Sequence, residues 1–321
     1  MIGFLATLKT PVLTGFFVGA LLLLGGCATP QMTTLEAHWP PDLPARLELT
    51  QVPFYPQEDF ECGPAALAMV AGAAGVPVTP ETLVNQVYLP GRKGSLQPEM
   101  LAATRRQGLL AYPLNPTLEA LMREVAAGNP VLVFQNLAFS FYPVWHYAVV
   151  IGFDRERNLL LLHSGRTERL EMSLFTFERT WARGHYWSML ALPTDRLPAT
   201  AEPKAYTTAA AALERVNPQA AQKAYKSALK AWPDDRAALL GAGNSAYALG
   251  QRDAAAKAYR KAVFQHADFA DAWNNLAQVL MEQGQLKEAA RAVAKAVALG
   301  GERLPRYQTL QLQLNQKIYN K

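Results

Sequence analysis

Cys62 stands immediately before a run built to be a helix. Gly63 and Pro64 open it, since proline fits a first turn whose N–H groups have no partner. Ala65-Ala66-Leu67-Ala68-Met69 continue it with strong helix formers. A thiol at a helix N-terminus faces unpaired N–H groups and the macrodipole, both of which favour the thiolate, the form that attacks carbonyls. Glu58, Asp59 and Glu61 oppose this, so an imidazolium partner matters. His146 opens the run His-Tyr-Ala-Val-Val-Ile-Gly-Phe and supplies a base that titrates near neutrality. The plainer reading of each is structural: a small buried cysteine and a histidine at a strand end.

The elements that must position these groups can be read from the pattern. Leu49 to Phe54 reads as a short strand leading to the cysteine loop. The cysteine helix runs to about Gly72. Further helices start at Thr79-Pro80 and at Gly94–Glu99, the latter leading into Met100–Gln107, and a third covers Leu118–Ala127. Val131–Phe134 is an apolar run suited to a strand covered on both faces. His146–Phe153, Leu159–Leu162 and Trp187–Leu192 follow as strands. Helices first and an antiparallel sheet after is an α+β order.

Gln57, four residues, and then Cys62-Gly63-Pro64-Ala65-Ala66 resemble the active-site segment of papain-like cysteine peptidases. More narrowly, they resemble the family that cuts double-glycine leaders from bacteriocin precursors. The resemblance spans about residues 49–192 and includes the His146 strand. It implies Cys62 as nucleophile, His146 as base, and Gln57 with the Cys62 N–H as oxyanion hole. In that family an aspartate follows the histidine by about seventeen residues. That position here is His163, in Leu162-His163-Ser164-Gly165. Either His163 orients His146 as a neutral acceptor, a role open also to Ser164, or the pair works alone, or activity is lost. Asp154 is excluded, because eight residues of strand put it roughly 26 Å from His146.

Residues 1–26 read as a secretory signal: Lys9, an apolar run from Val12 to Leu24, then small residues. That run is shorter than the roughly 20 residues that span a bilayer. Leu24-Gly25-Gly26-Cys27 resembles the bacterial lipobox, which implies a diacylated Cys27 at a new N-terminus. Ala28 in place of aspartate implies the outer membrane of a Gram-negative cell, facing the periplasm. Residues 27–48, with Pro30, Pro40, Pro41 and Pro44, read as an extended lipidated tether. Cys27 and Cys62 are the two cysteines of the chain, so acylation of the first leaves one unpaired thiol in an exported protein.

The domain following the tether covers 49–193, and 194–205, with Pro198 and Pro203, reads as a linker. Residues 206–321 form an alanine-rich helical domain with a period of 34 residues. Gly250 recurs as Gly284, Ala255 as Ala289, and Tyr225 as Tyr259. The pattern resembles three tetratricopeptide repeats at about 202–235, 236–269 and 270–303, with a capping helix from Arg306 to Tyr319. The expected architecture is an α+β papain-like peptidase domain followed by an all-α tetratricopeptide-repeat solenoid. The resemblance implies a peptide or protein substrate, a protein partner on the repeats, and a membrane reached through the lipid. Residues 202–321 hold 17 Lys/Arg against 10 Asp/Glu, a net of +7. Such a balance suits an acidic partner or an anionic surface, or else the solvated lysines of ordinary repeats. No nucleic acid, metal or cofactor is called for: the histidines are scattered and no phosphate-binding loop is present.

Overall fold

The computed structural model describes residues 29–57 and 61–320. The signal segment, Cys27 and the acids Glu58 and Asp59 lie outside the described residues. An antiparallel sheet organises the first domain. Its strands are β1 (Arg46–Glu48), β4 (Leu110–Pro113), β5 (Val131–Asn136), β6 (Trp145–Asp154), β7 (Leu159–Ser164), β8 (Thr167–Ser173) and β9 (Ser188–Leu192), with a separate two-stranded ribbon of β2 (Tyr88–Leu89) and β3 (Gly94–Ser95). The order is β4-β9-β5-β6-β7-β8, and β1 pairs with the end of β6 that β5 leaves open.

Every residue of β5 and all but the first of β6 are buried, as a sheet covered on both faces requires. One face, including Leu132, Val149 and Ile151, receives helix α2 (Cys62–Ala73). That helix is apolar all round and buried from Cys62 to Ala71, the pattern of a helix inside a core. Helices α3 (Pro80–Val87) and α4 (Gln97–Arg106) pack beside it. The other face, including Val131, Ala148, Val150 and Phe153, is covered by α5 (Leu118–Ala126) and α6 (Leu174–Arg183).

Two sequence expectations give way here. Residues 49–54 form no strand; β1 ends at Glu48, and Leu49 adds one further bond to Ile151 O at 2.7 Å. The stretch 27–48 is not an extended tether over its described part. Pro30–Ala37 form helix α1, with Leu35 buried. The cause is distant in sequence: the Glu178 carboxylate accepts from the N–H groups of Gln31 (3.0 Å) and Met32 (2.7 Å), satisfying orphan donors at the helix start. β8, α6 and β4 were not expected. β8 is mostly exposed and charged (Glu168, Arg169, Glu171), with Leu170 and Met172 alone half-buried.

Helices α7 (Pro203–Ala211), α8 (Pro218–Ala231), α9 (Arg236–Ala248), α10 (Arg252–Gln265), α11 (Ala270–Glu282), α12 (Leu286–Leu299) and α13 (Leu304–Tyr319) follow as an antiparallel stack. Its small residues have a packing reason. A Cβ on Gly243 would run into the Tyr259 ring, so the tyrosine fills the space the glycine leaves. The stack is not separate from the sheet domain: Tyr206, Ala210, Leu213 and Tyr225 join the same apolar cluster as Val150 and Leu190. The connecting segment is fixed by Glu124, which is fully buried on α5. Its carboxylate accepts from Ala199 N (3.1 Å), Thr200 N (2.7 Å), Thr200 Oγ1 (2.6 Å) and Asn129 Nδ2 (2.8 Å). No described helix is long and apolar enough to cross a membrane.

Glu124→Ala leaves these donors without an acceptor and should cost on the order of 3 kcal/mol. Glu124→Gln, which keeps one acceptor oxygen, should cost less. Urea unfolding of the two variants checks the order.

Candidate active site

Three separate segments meet at one cleft of ≈ 860 Å³: the loop and helix start carrying Gln57 and Cys62, the start of β6 with His146, and the end of β7 with Ser164. Cys62 is the first residue of α2. Gly63 is required next to it, because a Cβ there would lie 2.6 Å from Ser95 Cβ and 3.3 Å from Met100 Sδ. The cysteine helix therefore seats directly on the β3 ribbon, and the thiol is set at its rim. Gln57 is fixed by its backbone, whose N–H donates to Gly165 O at 3.2 Å.

His146 is 7 % exposed and Cys62 9 %. Burial pushes the Cys62 thiol up from its ordinary value, and the backbone N–H groups of Tyr147, Gly63 and Cys62 itself only partly offset it. The amide of Tyr147 is the residue after His146, so the sulfur is held at the strand that carries the imidazole. Burial also lowers the His146 pKa to about 4. Burial therefore disfavours the thiolate and the imidazolium alike. The helix N-terminus does not prevail over desolvation, contrary to the thiolate expected from position alone.

His146 Nε2 lies 2.9 Å from Ser164 Oγ. With Nε2–H donating to the hydroxyl, Nδ1 is left unprotonated and able to take a proton. His163 is not brought to His146. It pairs with Val149, and three residues of strand separate Val149 from His146, so the two rings leave opposite faces. The His163 ring instead meets Val52 O at 3.2 Å, Glu168 O, and the Phe54 ring at 5.2 Å. Asp154 sits at the far end of β6, where it accepts from Arg157 N at 3.1 Å and faces Arg46.

The cleft also draws on residues that sequence reasoning missed. Phe134 and Trp145 stack at 5.1 Å along one wall. Ser95 lines it with a buried hydroxyl that has no hydrogen-bond partner among the described residues. His185 enters from a turn in which two consecutive non-glycine residues, His185 (φ 57) and Tyr186 (φ 53), take the left-handed conformation, a strained arrangement typical of functional loops. Adjacent non-glycine residues at positive φ leave no signal in a single sequence. Among the described residues no group of His, Cys, Asp and Glu could hold a metal ion.

Residues 49–188 match the Peptidase_C39 like family, and residues 206–251 and 240–303 match tetratricopeptide repeats. The chain joins a C39-like peptidase domain to a tetratricopeptide-repeat domain. No curated protein matches it. Among solved structures, a putative C39-like peptidase from Bacillus anthracis is 18% identical, covering 46% of this chain and 97% of that one at a TM-score of 0.39. A double glycine motif protease from an AMS/PCAT transporter, in complex with the leader peptide, is 23% identical over 44% of this chain and 89% of that one, at 0.33. The type III secretion translocator chaperone SycD of Yersinia enterocolitica is 19% identical over 36% of this chain and 85% of that one, at 0.34.

Gly63→Ala should destabilise the C39-like domain by ~1–3 kcal/mol through overpacking against Ser95. Adding Ser95→Gly should return most of that loss. Thermal unfolding of the single and double variants reads both.

Proposed function

We propose that the chain is a membrane-anchored cysteine peptidase that hydrolyses peptide bonds, with repeats that recruit a protein substrate or partner. The observation that carries this reading is the meeting of Gln57, Cys62, His146 and Ser164 in one cleft from three segments of the chain. The chemistry follows from the neutral pair. As Sγ bonds to the substrate carbonyl, the thiol proton passes to His146 Nδ1, and the carbonyl oxygen becomes an oxyanion accepting from the Gln57 amide and the Cys62 N–H. Collapse expels the amine, which takes the proton back from the imidazolium and leaves a thioester on Cys62. Water then attacks with His146 again as base, releasing the carboxylic acid and the thiol. Ser164 holds the ring but gives the imidazolium no negative charge, so proton transfer relies on geometry rather than on an ion pair.

The anchor is read from Leu24–Cys27, with Cys27 acylated and Ala28 pointing to the outer membrane, facing the periplasm. Support for recruitment by the repeats comes from the groove along α9, α11 and α13, of ≈ 580 Å³. Asn244, Asn275 and Gln278 line it with amides suited to a peptide backbone. A second reading, a scaffold that binds without cutting, is favoured by Ser164 standing where an acid would charge-balance His146.

The test is cleavage of a proteome-derived peptide mixture by the full chain, read by mass spectrometry. His146→Ala should lower turnover by about 100-fold or more, the usual worth of a positioned general base. Ser164→Ala should cost about 10-fold, one neutral hydrogen bond. Ser164→Asp should retain or raise activity. A wild-type chain that cuts nothing while still retaining a peptide on its repeats establishes the scaffold instead.

A further inference from the structure

The hairpin joining β5 to β6 is unlike the surface around it. Residues 137–145 read Leu-Ala-Phe-Ser-Phe-Tyr-Pro-Val-Trp and hold no charge. Phe139, Phe141 and Tyr142 are 67%, 86% and 73% exposed. The rings of Phe139 and Phe141 stack at 5.3 Å and 8°, so they offer one flat uncharged face to solvent. The hairpin is nevertheless firmly built. Asn136 Oδ1 accepts from Ala138 N (3.1 Å) and Val144 N (3.0 Å), and Tyr142 N donates to Phe139 O (3.1 Å). Arg183 donates from Nε (3.2 Å) and Nη2 (3.0 Å) to Asn136 O at its base. Three rings fixed outward in this way mark a contact with something that removes them from water.

Where the chain enters the domain says what that is. Glu178 accepts from Gln31 N and Met32 N, and Tyr186 lies near the Gln31 side chain. Arg183, between those two residues in sequence, carries the hairpin base, and His185 beside it lines the cleft. The entering chain, the aromatic hairpin and the cleft are therefore tied to the stretch from Glu178, midway along α6, to the turn after it. Thr29 follows Cys27 by two residues, and two residues reach about 7 Å at most. An acyl chain on Cys27 brings a lipid surface up to this end of the domain.

We propose that the 139–142 tip sits in the interface of a lipid bilayer, beside the lipidated N-terminus, and turns the cleft toward the membrane surface. Aromatic side chains are what that zone accepts best, and an uncharged tip enters it without stripping water from an ion. A second contact converts a single point of attachment into a fixed orientation. Because Val144 and Trp145 of the same hairpin line the cleft, the peptide taken there is a segment lying close to the membrane. The inference rests on the lipid-anchor reading for its orientation and not on the peptidase chemistry.

The full chain reconstituted in vesicles with brominated acyl chains tests it. Phe141→Trp adds one indole at the tip, and its emission is taken as the difference from the unaltered chain. The proposal expects that added emission to be blue-shifted and mostly quenched. Flotation of the same sample reports the anchor separately. A chain that floats while the added indole emits as it does in water overturns the hairpin contact and leaves the anchor standing. A chain that does not float overturns both. An added indole that is unquenched by lipid but shielded when a cleaved peptide is supplied assigns the face to substrate and also overturns the proposal.

Discussion

Cys62 and His146 are both taken out of water, and among the described residues no formal charge compensates either. Desolvation raises the thiol and lowers the imidazole, so each is driven toward its neutral form. That constraint shapes the rest of the site. An ion pair formed in advance would have to be bought against the burial of two charges, and Ser164 offers only a hydroxyl to the imidazolium. Neutral partners need alignment instead, and alignment is what the surrounding structure provides. The cysteine helix is packed apolar on all sides, Gly63 lets it close onto Ser95, the Tyr147 amide meets the sulfur, and Ser164 holds the imidazole at Nε2.

Buried carboxylates do the corresponding work at the joins. Glu178 caps α1 and fixes where the chain enters the domain; Glu124 gathers three donors from the segment leading to the repeats. Each replaces what a free linker would leave open, and the repeat stack continues the apolar cluster on the second face of the sheet. The first repeat helices share an apolar cluster with the sheet domain, and from Leu239 onward the repeats pack around a cluster of their own.

Features of short range were legible in the sequence. The helix after Cys62, the buried β5 and β6, the repeats with their 34-residue period and the order of Gln57, Cys62 and His146 follow from local propensity, hydrophobic runs and spacing. What was not legible depends on register or on distant partners. Whether His163 or Ser164 faces His146 is decided by the pairing of β7 with Val149, and a shift of one residue exchanges them. Residues 30–37 look like a proline-marked tether until Glu178, 147 residues away from Gln31, caps them. The protonation of Cys62 could not be read from its helix N-terminus, because burial against the sheet outweighs the dipole.

The rate of Cys62 alkylation against pH, measured with and without His146→Ala, tests the neutral pair most directly. The account predicts slow reaction at neutral pH, a rate that rises only above the ordinary cysteine value of about 8.5, and a midpoint little changed by His146→Ala. A fast plateau well below that pH, lost in His146→Ala, would show a preformed thiolate–imidazolium pair and contradict it.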